Sequence, residues 1–368
     1  MTNGFVAMFR KELTQMMRDR GTLFFALLVP VLELVLFGVI DMNAKNIPTA
    51  VLDLSQTQES RRLLEQFNAT GYLRITEYVQ SRAQLQHAIV AGKAQVAIEI
   101  PPDYARNLTS GRQADVLVAI DGSDSTVASQ ALSAANGVVL QNAIATVLER
   151  THTTPPLEVH PLMMFNPDMR SANLLIPGLI AILLTFSGTI LSAFAIVKER
   201  ERGTLEQLMV TPVSPLAVVV GKLLPYLVLA YIQLIIIVVL MNVLFRVPIH
   251  GSISLLMLLS PIYLLSLLSV GLLVSAHAKT QMEAMQRAMS VLLPSVLLSG
   301  YIFPIASLPL PLRAISHILP ATYYIRIARG IVIRGATFAD LWEPVLALVV
   351  MSLVLIAASA RAFQKTVS

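Results

Sequence analysis

The sequence predicts an α-helical polytopic membrane protein with six transmembrane helices and an inserted extracytoplasmic α/β domain. Composition is the first of three observations behind this. Of 368 residues, 55% are hydrophobic and 13% are charged, against roughly 45–50% and about 25% in soluble domains, so lipid has to solvate the surplus. The second is six apolar stretches near the length of about 20 residues that a helix needs to cross the hydrocarbon core. The third is a long polar interval between the first two of them, in which strand-like and helix-like patterns alternate. There is no cysteine, which removes disulfide frameworks and thiolate metal sites.

Residues 1–21 read as a cytoplasmic amphipathic helix. Phe5, Phe9, Leu13 and Met16 fall at helical spacing, with Arg10, Lys11 and Arg18 on other faces, a pattern suited to a helix lying in the interface. The first span covers residues 22–41. Its charged leader is long, Glu33 interrupts the apolar run and no small-x-small cleavage site follows, so it reads as a retained anchor, not a cleaved leader. Glu33 is an acid well inside a span, where a charge costs roughly 2.5–3.5 kcal/mol on insertion scales. It fits either a contact for a cationic substrate or proton, or a protonated carboxyl bonded to a neighbouring helix.

Residues 42–172 are expected outside the cytoplasm. Strands are predicted at Ile47–Leu54, Tyr72–Val79, Gln95–Ile100 and Asp115–Ile120, separated by helices at Gln56–Asn68, Arg82–Gly92 and after Pro102. A long helix over Ser125–Arg150 leads into a connector with Pro155, Pro156, Pro161 and Pro167. Strands alternating with helices give a small α/β domain. Asp53, Asp121 and Asp124 sit at strand ends, either as ligand groups of an α/β cleft or as turn and cap residues. His87, His152 and His160 lack metal-ligand spacing.

Residues 173–368 hold the other five stretches, at Asn173–Val197, Leu216–Phe245, Ser252–Ala276, Ala288–Ile305 and Leu341–Ala360. With the N-terminus inside, twelve Lys and Arg fall in short cytoplasmic segments and five in short outer ones, which places both termini in the cytoplasm. Pro30, Pro177, Pro225, Pro261 and Pro294 are predicted to kink their helices, and Gln233 and Asn242 to bond across helices.

The cytoplasmic loop 198–215 is the most informative segment. Thr204 followed by Gln207 makes a capping box, Glu206 lies in the positive first turn, and Leu205, Leu208 and Met209 form an apolar ridge that Pro212 ends. Such a helix suits either docking in a partner's groove or lying on headgroups. The run Glu199-Arg200-Glu201-Arg202-Gly203-Thr204-Leu205-Glu206-Gln207-Leu208-Met209-Val210-Thr211-Pro212 resembles the E-R-E-x-G-T-x-E-x-L-x-x-(S/T)-P signature of the type 2 ABC exporter permeases. Asn166-Pro167 resembles that family's entry to its second helix, and Leu298-Ser299-Gly300-Tyr301-Ile302-Phe303-Pro304 the end of its fifth. Pro320-Ala321-Thr322-Tyr323-Tyr324 through Arg329-Gly330 and Arg334-Gly335 resembles its re-entrant outer segment, within 306–340. There Tyr323, Ile327 and Ile331 form an apolar face, while Arg326 and Arg329 are expected to reach headgroups.

The resemblance implies a multidrug-exporter-like permease of the long form, in a bacterial inner membrane. It also implies docking of Glu199, Arg200, Glu201, Gly203 and Thr204 through Met209 on an ABC ATPase subunit, where the N-terminal helix either joins in or only anchors the chain. No G-x-x-x-x-G-K-[ST] occurs, since Gly221-Lys222 lacks the upstream glycine and is followed by Leu223. ATP and Mg²⁺ therefore belong to the partner, and no cofactor or catalytic residue is assigned to this chain. H-E-x-x-H and G-x-S-x-G are also absent. Expected partners are the ATPase, a second permease copy or paralogue, the bilayer and, for export across two membranes, a membrane-fusion-type periplasmic protein; no nucleic acid is expected. Two other functional classes stay open at this level: a membrane-anchored receptor or scaffold binding through 42–172, and an ion-coupled carrier using Glu33.

Overall fold

The computed structural model describes residues 2–39, 45–151, 164–167, 170–201, 203 and 215–367. The expected connector through Pro155, Pro156 and Pro161, with His152 and His160, lies outside the described residues, as does the segment Thr204–Pro212. Two compact units emerge: Met1–Ile40 with Met164–Ser368, and Asp41–Met163. The first unit opens with α1 (Thr2–Arg18) and α2 (Arg20–Val39).

The second unit is a four-stranded sheet in the order β2-β1-β3-β4, built from β1 (Ile47–Asp53), α3 (Gln58–Ala69), β2 (Leu73–Tyr78), α4 (Arg82–Val90), β3 (Val96–Ile100), α5 (Tyr104–Thr109), β4 (Leu117–Ile120) and α6 (Ser125–Thr151). β1 pairs in parallel with β2 and β3, and β4 closes the edge antiparallel to β3. The central strands are buried on both faces, as a sheet covered from both sides requires. Leu63, Leu64 and Phe67 of α3 pack against Ile47, Val51 and Ile98 on one face, while Leu85 and Ala88 of α4 pack against Ala50, Leu52 and Ala97 on the other. Glu99 of β3 is buried and accepts Arg82 Nε at 2.7 and 2.9 Å, tying the start of α4 to the sheet. Asp53, Asp121 and Asp124 take turn and cap roles. Asp53 accepts from Ser55 N, Gln56 N and Ser60 Oγ, Asp121 from Ser123 N, and Asp124 from Thr126 N.

The remaining helices of the first unit are α7 (Ser171–Glu201), α8 (Pro215–Val243), α9 (Ile253–His277), α10 (Gln281–Leu298), α11 (Leu310–Ser316), α12 (Pro320–Arg334) and α13 (Trp342–Val367). α7 is the axis of this unit: its most apolar window is 78% buried, against 17% for α2 and 28% for α13. Phe24, Phe25 and Leu36 of α2 and Val350, Leu353 and Val354 of α13 are exposed, and so large an apolar surface demands a non-aqueous solvent. Backbones of α7 and α9 approach closely at Gly271, where a Cβ would overlap Ser192 Oγ and the Thr189 carbonyl. Small residues at the crossing of two apolar helices allow this. Several polar groups in the core are paired between helices. Tyr263 and Tyr324 stack with ring centroids 4.2 Å apart; Tyr263 Oη donates to the Ala181 carbonyl at 2.9 Å, and Ser187 Oγ donates to Gln233 Oε1 at 2.6 Å.

Among the described residues five helices are long and apolar enough to cross a membrane, α2, α7, α8, α9 and α13, where the sequence counted six. The difference lies at Ala288–Ile305. The helix there, α10, starts earlier, capped by Thr280, and stops at Leu298. Its first turns bring in Gln281, Glu283, Gln286 and Arg287, which dilute the apolar window. Helix termini follow capping chemistry and glycine, here Gly300 at φ +84°, more closely than hydropathy.

Candidate functional site

The last turn of α7 carries the charged start of the signature, and its described charges are engaged within the chain. Glu199 is 4% exposed and accepts Lys11 Nζ at 2.6 Å, while Lys222 Nζ stands 3.9 Å away. Arg200 donates through Nη1 to the Ala278 carbonyl and through Nη2 to that of Ala276 at 3.3 Å. Glu201 accepts from the Gln281 backbone N–H at 2.8 Å and from its side-chain amide. Gly203 follows in the left-handed region at φ +68°, its N–H bonding the Arg200 carbonyl at 3.1 Å; glycine occupies that conformation without strain. The end of α7 is therefore fastened to α1, to the start of α8 and to the α9–α10 turn before residue 204. Thr204, Leu205, Glu206, Gln207, Leu208 and Met209 lie outside the described residues.

Beneath this turn is a buried cluster of alternating charge. Lys222 is 1% exposed and donates to Glu12 Oε1 at 2.6 Å and to the Ala195 carbonyl at 3.1 Å. A buried ammonium is tolerable only with such partners, because desolvation otherwise costs several kcal/mol. The cluster depends on how α1 is rotated. Its buried side is Met8, Glu12 and Met16, with Phe9 and Leu13 partly covered. Met8 packs with Ala195, Ile196 and Leu223, and Met16 with Ala26, Leu191 and Leu229. So α1 packs on the bundle: Met16 lies on the stripe that sequence spacing selects, while the buried Met8 and Glu12 lie one position before Phe9 and Leu13. At its end Asp19 caps α2, accepting Thr22 N at 3.0 Å and Thr22 Oγ1 at 2.6 Å, and pairs with Lys198 at 2.9 Å. The Thr22 hydroxyl and Lys198 hold this carboxyl well below the usual carboxylate range.

Glu33 is half-buried on α2, with no hydrogen bond or ion pair among the described residues. One turn earlier, Val29 and Pro30 line a small apolar cleft of about 80 Å³ with Phe186 and Leu191 of α7. Residues 306–340 differ from the interfacial arrangement expected of them. Ile327 and Ile331 are fully buried in the bundle core, so the apolar face of α12 turns inward. Tyr323 Oη donates to the His317 carbonyl at 2.9 Å. Arg329 points inward and donates to the carbonyls of Gly300 and Tyr301 at 2.9 and 3.1 Å, which α10 leaves unpaired at its end. Arg326 alone of the two arginines is exposed, 3.9 Å from Glu343.

Sequence reasoning missed Glu12 as a site residue and weighed Lys222 only as a failed phosphate-loop lysine and an inside charge. The available signal was a cation at the head of an apolar helix, which needs a carboxylate, and a carboxylate flanked by Met8 and Met16 at helical spacing.

Apolar helices with outward hydrophobic faces, buried polar pairs between them and an ion cluster at one end define a polytopic membrane protein. The chain belongs to the ABC-2 family of transporter proteins, whose family model matches residues 20–361, and it is a membrane permease of an ABC transporter. It is 29% identical over 329 residues to the probable multidrug ABC transporter permease YbhS of Escherichia coli K12, covering 88% of this chain and 87% of that protein. Identity to the probable multidrug ABC transporter permease YbhR of the same strain is 27% over 344 residues, covering 93% of each. The inner membrane transport permease YhhJ, also of that strain, is 28% identical over 367 residues, covering 97% of this chain and 96% of that protein.

Proposed function

We propose that this chain is the membrane-spanning subunit of an exporter that moves a drug-like or amphiphilic substrate out of the cytoplasm, using ATP hydrolysed by a separate subunit. Both termini lie in the cytoplasm and residues 42–172 outside it. That arrangement needs an even number of crossings. α10 supplies the sixth, its 18 residues spanning about 27 Å, close to the hydrocarbon thickness of about 30 Å. Two copies, or one copy and a paralogue, pair in a bacterial inner membrane. Each docks Thr204–Met209 on an ATPase subunit, and a membrane-fusion-type protein can extend the path across a second membrane.

The observation that carries this reading is the fastening of Glu199, Arg200 and Glu201 at the end of α7. A helix end so held passes any displacement on to the helices it is bonded to. Force applied to it by a closing ATPase reaches the most buried helix of the bundle and can switch it between two packings. Reconstitution with the ATPase tests the reading: Leu205→Asp with Leu208→Asp abolishes ATP-driven transport while the chain still folds. Undiminished assembly and transport in that variant would remove the docking role, and transport without ATP would favour the ion-coupled carrier.

A further inference from the structure

A groove of about 1090 Å³ runs along α1 where it faces the end of α7 and the start of α8. Its lining holds four cations, Arg10, Lys11, Arg18 and Lys198, against one carboxylate, Asp19. That carboxylate is already occupied by Thr22 and Lys198, and Lys11 by Glu199. Arg10 and Arg18 have no side-chain partner among the described residues and are both exposed. Eight residues apart on one helix, they stand about 12 Å from each other. The rest of the lining is apolar or neutral, with Val6, Met16 and Tyr226 beside Thr14 and Gln15.

We propose that this groove binds the headgroup of an anionic phospholipid of the cytosolic leaflet. Two free guanidiniums match phosphate oxygens in charge and geometry, and basic pockets between membrane helices on the cytosolic side are suited to anionic headgroups. A free phosphate ion would leave most of the volume empty and the apolar wall unused. A lipid fills both, because Val6 and Met17 of α1 and Phe24 and Phe25 of α2 are exposed apolar side chains on which acyl chains rest. The bound headgroup would bridge α1 to Lys198, one residue before the anchored Glu199.

The inference rests on the cytosolic placement of α1, and its test is independent of transport. The purified full-length chain is given mixed micelles of equal parts phosphatidylglycerol and phosphatidylcholine, and retained lipid is counted by native mass spectrometry. Wild type retains phosphatidylglycerol preferentially. Arg10→Gln and Arg18→Gln each weaken that retention about fivefold, the equivalent of roughly 1 kcal/mol per basic residue. Arg20→Gln removes an exposed charge outside the groove and leaves retention unchanged. Equal retention of the two lipids overturns the proposal. So does an equal loss in Arg20→Gln, which marks diffuse attraction, or displacement by millimolar inorganic phosphate, which marks a free-anion site. Both arginines are exposed, so either variant alone decides. Labelling a cysteine placed at Val6 from each side of intact cells separately tests the sidedness of α1.

Discussion

Lys222 Nζ lies 2.6 Å from Glu12 Oε1, with the two side chains 1% and 4% exposed, joining positions 210 residues apart. This pair sets how α1 sits on the bundle: among the described residues it is the buried ion pair that joins α1 to α8. It also leaves Glu199 between two ammonium groups, Lys11 and Lys222.

Lys222→Met strands Glu12 in the interior and costs roughly 3–5 kcal/mol, the loss expected when one partner of a buried pair is removed. Adding Glu12→Leu restores much of that stability, since an apolar pair of similar volume needs no desolvation. Thermal melting of the two single variants and the double variant checks this. A double variant no more stable than Lys222→Met would show that the pair is not coupled.

Gly271→Val forces α7 and α9 apart, because its side chain would occupy the space of Ser192 Oγ and the Thr189 carbonyl. Overpacking of this kind costs about 1–3 kcal/mol or more. Gly188→Ala on the same interface should be nearly neutral, as its Cβ meets Leu267 at an ordinary 3.5 Å. Comparing the melting temperatures of the two variants separates close backbone approach from a general need for glycine.

Asp19→Ala loses the cap of α2, worth about 1 kcal/mol, whereas Asp19→Asn keeps the cap and loses only the charge that faces Lys198. Because the Asp19 carboxyl titrates below its ordinary value, its contribution is fully present above the unfolded pKa of about 4. It disappears as pH falls toward the depressed value. The stability gap between wild type and Asp19→Asn should thus be flat from pH 5 to 8 and close only in stronger acid. A gap that changed across neutral pH would point to another group.

Arg329→Gln withdraws the cation that satisfies the Gly300 and Tyr301 carbonyls, a loss of about 1.5–3 kcal/mol for charge-assisted bonds. Limited proteolysis should then cut sooner between residues 299 and 309 than in wild type. Arg326→Gln, whose side chain is exposed, should leave the cleavage rate unchanged.

Much of the bundle could be read without coordinates. Helices spanning Leu216–Phe245 and Ser252–Ala276 are expected, and α8 and α9 lie within two residues of those limits. A run of more than twenty apolar residues has no other economical conformation in lipid. The strands at 47–54 and 95–100 were equally visible, and β1 and β3 match them closely, because alternation and turn residues are local signals. The bounds of the stretch at Ala288–Ile305 shifted to Gln281–Leu298 because hydropathy counts side chains and ignores caps. Arg329 misled because a sequence records a charge without recording which carbonyls lie within its reach.

By itself, the sequence determined the solvent of this protein, most of its long apolar helices and the signature that marks its family. All of these follow from neighbours in the chain. Only the tertiary structure decided that Glu12 belongs with Lys222, that Glu199, Arg200 and Glu201 hold the end of α7, and that Arg329 turns inward. Each of these pairs lies between 28 and 210 residues apart. A charge in the fold finds its partner by what packing brings within about 3 Å, which no local pattern encodes.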